Sequence, residues 1–260
     1  MIDIEYIRSF FPAIIANENR FDRYMLKEYL QLQILDYLAT TPYISKLSFI
    51  GGTNLRIVQG IDRFSEDLDF DCKGMDEKEF IAMTDSIVSY LRNNNIDVET
   101  RDKPNPRLTA FRRNLYFPQM LFNLGLTGHH EERLLLKIEA QNQGVEYTPI
   151  VVNINKIGFF FSIQVPPLDV LCAMKISAIL SRQKGRDFYD TIFLLSKTRP
   201  NMDFLSLKTE ISSMEELKIA LRNHLAEIDL THKKLDFVHL LFNESNADRI
   251  LKFGDVVEML

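Results

Sequence analysis

Residues Asp67–Cys72 alternate without exception between a carboxylate and an apolar side chain, with Asp67, Asp69 and Asp71 on one side and Leu68, Phe70 and Cys72 on the other. A period of two is that of an extended strand, whose successive side chains leave opposite faces. The segment therefore reads as a strand with one face in a core and the other lined by negative charge. Asp67 and Asp69 are two residues apart, so their carboxylates share a face, repel, and gain from a cation between them. Hard oxygen donors of this kind suit Mg²⁺, which takes one or two carboxylates together with substrate phosphate oxygens. Asp71 extends the row and is expected at the exposed end of the strand.

Just upstream, Leu47–Ile50 is a short apolar strand, and Gly51-Gly52-Thr53 is expected to turn the chain into a short helix running from Asn54 to Gln59 and closed by Gly60. A glycine pair lets backbone approach a ligand with no Cβ in the way. The helix start that follows offers free N–H groups to an anion, and Thr53 adds a hydroxyl. A tight structural turn explains many isolated Gly-Gly pairs. Here the pair precedes D-x-D by about one helix and one turn, so one small unit can set phosphates beside a metal.

Apolar spacing predicts a helix over Phe21–Leu38 and another over Asp76–Asn93. Between Ile96 and Val165 the pattern turns β-like, with strands expected at Ile96–Thr100, Leu108–Phe117, Leu134–Gln141, Tyr147–Asn153 and Phe159–Val165. After Pro166-Pro167 the chain reads almost wholly helical, from Leu168–Gln183 through Asp187–Ser196, Phe204–Ile211 and Glu215–Glu227. Strands followed by helices predict an α+β domain over residues 1–165, including N-terminal helices, and a helical domain over 166–260.

Glu139 sits in the apolar strand Leu134–Gln141 and needs a partner there. That partner is either a cation such as Lys137 or a metal shared with Asp67 and Asp69, which together would make the clamp of a two-metal phosphoryl transfer. Lys175 interrupts the apolar stripe of the helix after Pro166-Pro167, so its ammonium either meets an anion, a triphosphate in the functional reading, or snorkels to water. Arg182, Lys184, Arg186, Asp187 and Asp190 crowd the nine residues Arg182–Asp190. Arg107, Arg112 and Arg113 with Arg182, Lys184 and Arg186 could form a basic path for RNA phosphates. The net charge of −5 means that any such contact must be local. Cys72 and Cys172 make no C-x-x-C pair, and a reducing cytoplasm is the expected compartment. No apolar run is long enough to cross a bilayer, and no signal peptide or membrane partner is expected.

The runs Phe49-Ile50-Gly51-Gly52-Thr53-Asn54-Leu55-Arg56 and Asp62-Arg63-Phe64-Ser65-Glu66-Asp67-Leu68-Asp69-Phe70 resemble the AbiEii/AbiGii toxin family of nucleotidyltransferases, within the polymerase-β-type superfamily. Lys175 to Ala178 and Arg186-Asp187-Phe188-Tyr189-Asp190 are similar to that family's later motifs. Residues after Leu205 carry no motif that can be placed. The resemblance implies a nucleotidyltransferase core of α+β class with a mixed sheet and a helical C-terminal lobe. It implies an NTP-dependent, Mg²⁺-dependent toxin of a toxin–antitoxin or phage-defence system that adds nucleotides to the tRNA 3′ end, with an antitoxin encoded nearby. Carried over by position, Gly51, Gly52, Thr53, Arg56, Arg182 and Arg186 belong to the nucleotide site, and Asp67, Asp69 and Glu139 to the metal site. Asp67, Asp69, Lys175 and Asp190 belong to the catalytic set. Asn54 departs from the small residue expected after the threonine. The same chemistry aimed at a protein or small molecule, or a regulator that binds nucleotide without transfer, are the alternatives; intact Asp67, Asp69 and Lys175 weigh against the last.

Overall fold

The computed structural model describes residues 2–102 and 109–260. Its chain divides into two compact units: the first holds the chain up to Gln59, Phe64–Gly144 and Ile150–Val165, and the second holds Gly60–Arg63, Val145–Pro149 and Pro166–Leu260.

The first unit is built on a mixed five-stranded sheet in the order β1 (Leu47–Ile50), β2 (Leu68–Cys72), β5 (Leu134–Gln141), β4 (Phe111–Phe117), β3 (Glu99–Thr100). β2 runs antiparallel to β1 and parallel to β5, and β4 runs antiparallel to both β5 and β3. Alternation decides which face is buried. Leu68, Phe70 and Cys72 join Phe49, Leu136, Ile138 and Ala140 in the core, each no more than 1% exposed. The helix Glu77–Asn93 buries Phe80, Met83, Thr84, Ile87, Val88 and Leu91 along one stripe and packs against β4. Asp76 caps it by accepting the Glu79 N–H at 2.8 Å. The helix Asp22–Ala39 and a separate hairpin, β6 (Ile150–Lys156) with β7 (Phe159–Val165), complete the unit, with β7 packed on that helix and on β1.

The sequence-based strands at Leu47, Leu134 and Phe159 coincide with those observed. The strand expected over Ile96–Thr100 shrinks to Glu99–Thr100, because Ile96 and Val98 are buried without a strand partner and Asn95 has a left-handed φ of 60°. The strand expected from Tyr147 begins at Ile150, just past Pro149, which has no N–H to give a ladder. Leu108 and Arg107 lie outside the described residues.

The second unit is helical. Leu168–Ser181 packs against Gly185–Leu195 and Met202–Thr209, and the 3₁₀ segment Glu244–Lys252 packs on Gly185–Leu195. Gly185 is a glycine for a packing reason: a Cβ there would collide with the backbone carbonyl of Lys233. Its N–H donates to Asp236 at 3.3 Å, so the segment Leu230–Asp236 closes the start of that helix. Among the described residues no helix is long and apolar enough to cross a membrane.

Candidate active site

Gly51 and Gly52 do not form a free-standing turn. They are the first residues of a helix, Gly51–Asn54, that continues as a π-helical turn over Leu55–Gln59. Gly51 has φ +78°, and a Cβ on it would run into the Asp69 carboxylate. The absence of that Cβ lets the helix start and the acidic strand touch. Thr53 is fully buried, and its hydroxyl donates to the backbone carbonyl of Asp67, so its side chain fixes the strand entry and is turned away from solvent. Asn54 is also fully buried; its amide donates to the Phe49 carbonyl at 2.7 Å, while its Oδ1 has no partner among the described residues. Arg56 is held by the buried Glu28, Nε to Oε2 at 2.8 Å, and its guanidinium lies over the Phe64 ring.

The sheet register sets the acidic row. Asp69 faces Ile50 on β1 and Glu139 on β5. Glu139 in turn faces Arg112 on β4, whose Nε donates to it at 2.8 Å. Lys137, expected as the cationic alternative for Glu139, turns instead to Asp67, with Nζ 3.6 Å from Oδ2. Asp71 corrects the expectation of an exposed strand end. It is 1% exposed and accepts the Gln143 N–H at 2.8 Å, so it anchors the chain leaving β5.

Among the described residues no three His, Cys, Asp or Glu side chains are arranged as a metal-holding group. The donor set nonetheless fits one magnesium ion. Asp67 and Asp69 leave one face of β2 beside a backbone whose missing Cβ keeps room at the Asp69 carboxylate, and a cation already stands at Asp67. Glu139 fits less well, being held by Arg112.

The later motifs form a second cluster within the helical unit. Arg63, 1% exposed, donates through Nε and Nη2 to the two oxygens of the fully buried Asp190, both at 2.7 Å. Lys175 Nζ lies 2.7 Å from Asp190 and 3.4 Å from Asp187. Arg182 grips Asp187 from outside at 2.8 and 3.0 Å. The result is an alternating chain of three cations and two carboxylates. Burial alone would raise the Asp187 carboxyl, but Lys175 and Arg182 beside it hold it at about 2. Asp190 is likewise held below the usual carboxylate range, by Arg63 and Lys175 against the effect of burial. Lys175 thus meets protein carboxylates. Arg186, half-buried at the start of Gly185–Leu195, adds its charge to those that hold Asp187 down.

Asp62 was not singled out by sequence reasoning. It accepts from the Tyr189 hydroxyl and the Asn246 amide, both at 2.7 Å, and from Arg249 at 3.1 Å. Burial and Asp62 push the Tyr189 hydroxyl well above its usual range. Within the helical unit, residues from beyond Leu205 therefore pin the Asp62-Arg63 pair. The only sequence signal was the position of Asp62 inside the longer motif. The arginines expected to form an RNA path are largely engaged: Arg112 by Glu139, Arg113 by Asp85 and by Asp102, the latter at 3.0 Å, and Arg182 by Asp187.

A mixed sheet whose β1 runs straight into a glycine-led helix, with D-x-D on the neighbouring strand, is the arrangement expected from the resemblance to nucleotidyltransferases. Solved structures share the fold, among them the following two. JHP933 from Helicobacter pylori is 20% identical over 91% of this chain and 90% of its own, with a TM-score of 0.54. MenT4, a nucleotidyltransferase toxin from Mycobacterium tuberculosis H37Rv, is 13% identical over 99% of both chains, with a TM-score of 0.57. No curated protein matches the chain in sequence. Residues 33–248 match the family of the nucleotidyl transferase AbiEii toxin, type IV toxin–antitoxin system, and the chain belongs to that family.

Proposed function

We propose that this enzyme moves a nucleotide from an NTP to the 3′ end of tRNA, that Asp67 and Asp69 hold magnesium for the reaction, and that the modification arrests growth until an antitoxin encoded nearby relieves it. One observation carries the site assignment: Asp69 packs against the bare Cα of Gly51, so two same-face carboxylates adjoin the first turn of a helix. Membership in a toxin family supports an essential acceptor, and blocking the tRNA 3′ end would halt translation.

In this reading the acceptor hydroxyl oxygen bonds to the α-phosphorus while the bond to the bridging oxygen of the β-phosphate breaks. Pyrophosphate leaves and the hydroxyl proton passes to solvent. Backbone N–H groups at Gly51–Thr53 receive phosphate oxygens, aided by the positive end of the helix. Bound magnesium supplies charge neutralisation for the phosphates. Thr53 keeps Asp67 in place through its carbonyl, and Arg112 keeps Glu139 on the flank of the acidic row. Lys175 and Asp190 act as positioning residues, locking Arg63 and the Gly185–Leu195 helix. Arg182 and Arg186, at and just before the start of that helix, are read as nucleotide contacts on the resemblance alone.

The test is incubation with total bacterial RNA, Mg²⁺ and each α-labelled NTP in turn. Label in the tRNA size class is expected. Label on protein or on a small molecule would replace the acceptor assignment, and no transfer with any NTP would overturn the reading. In cells, expression should slow growth, and Asp69→Asn should relieve it.

A further inference from the structure

We infer that Lys137 is the built-in counter-cation of the acidic pair, one that neutralises Asp67 in the metal-free enzyme and turns to the phosphate oxygens of the nucleotide once a metal takes Asp67. The inference rests on the reading of Asp67 and Asp69 as metal ligands. Its basis is the juxtaposition of two ion pairs of different quality on one sheet face.

Leu68 pairs with Ile138 across the parallel β2–β5 ladder, so Asp67 and Lys137, each one residue earlier, are neighbours on adjacent strands. Their side chains share the face that carries Asp69 and Glu139. Lys137 Nζ stands 3.6 Å from Asp67, beyond hydrogen-bond length, and its side chain is 34% exposed. The flanking pair, Arg112 with Glu139, is closed at 2.8 Å. Arg112 is thus committed to its carboxylate, whereas Lys137 is a loosely held ammonium on a flexible four-carbon stem. Its neighbour on β4 is the neutral Asn114. Lys137 therefore offsets part of the charge of Asp67, and a divalent cation that takes Asp67 replaces it.

A metal that must displace a lysine binds more weakly than one entering an empty pair, because only part of the population is ready to receive it. Freed from Asp67, the ammonium keeps its charge next to the metal-bound phosphates, where a charge-assisted hydrogen bond is available. Lys137 should thus oppose metal binding and favour nucleotide binding. A lysine that merely braces the sheet would not act in opposite directions.

The experiment uses the full chain. Mn²⁺ binding without nucleotide is followed by electron paramagnetic resonance, and binding of a non-hydrolysable NTP analogue at saturating Mg²⁺ is followed by calorimetry. Lys137→Met should bind Mn²⁺ about threefold more tightly, as expected for loss of a part-exposed ion pair. It should bind the analogue about tenfold more weakly. Lys137→Arg should keep the analogue affinity, which separates charge from folding defects. Weakening of both ligands, or a change in neither, would overturn the inference while leaving the metal site standing. Mn²⁺ binding that is unchanged in Asp67→Asn and Asp69→Asn would remove the metal reading itself, and the inference with it.

Discussion

Replacing Arg63 with methionine should cost the helical unit about 3 kcal/mol, and replacing Asp190 with leucine should cost about 5 kcal/mol, the two ends of the range for breaking one side of a buried ion pair. The asymmetry follows from the partners left behind. Without Arg63, Asp190 still has Lys175 at 2.7 Å, so the carboxylate remains neutralised. Without Asp190, the 1% exposed Arg63 loses its bidentate carboxylate and retains the more distant charge of Asp187, and Lys175 loses its 2.7 Å contact and retains the 3.4 Å one with Asp187. The double variant Arg63→Met/Asp190→Leu removes both charges, so its cost should fall short of the sum of the singles by about 2–3 kcal/mol. Urea unfolding followed by circular dichroism measures all three. Single costs below about 1 kcal/mol, or additive costs in the double variant, would refute the buried pair. A stable Asp190→Asn that no longer transfers label would instead make Asp190 catalytic.

Asp187 has a folded pKa of about 2, below its unfolded value, so its contribution is present above about pH 4 and is lost as pH falls through the folded value. An acid titration should show about 2 kcal/mol of stability lost on this account, absent in Asp187→Asn. Burial pushes the Cys172 thiol up to about 12, so iodoacetamide at pH 8 should leave it unmodified until the protein unfolds. Gly51→Ala should strain a residue at φ +78° and push on Asp69; stability should fall by about 1–2 kcal/mol and label transfer by at least ~10-fold, measured side by side.

The parts of the fold legible in the sequence were those governed by local period. Alternation marked β2 and β5, and the proline pair marked where strands give way to helices. What escaped was pairing, which depends on register and on contacts distant in sequence. Asp69 and Glu139 could be assigned to faces but not to neighbouring positions, and the pairing of Lys137 with Asp67 and of Arg112 with Glu139 was invisible until the β2–β5 and β4–β5 registers were known. Asp71 was misplaced because its partner is the Gln143 backbone, which carries no side-chain signal. Lys175 was read as meeting a triphosphate or snorkelling to water, whereas its ammonium lies against Asp187 and Asp190, one helix further along. The role of residues beyond Leu205 was hidden because Asn246 and Arg249 act on Asp62, more than 180 residues away.

The central claim, that the acidic face of β2 carries the transfer, is tested most directly by label transfer from an α-labelled NTP to bacterial RNA. Wild type and Asp69→Asn would be compared at matched circular dichroism, with and without excess EDTA. The account predicts loss of at least ~100-fold in the variant and loss of the wild-type signal in EDTA. Full transfer by the folded variant, or transfer that survives EDTA, would contradict it.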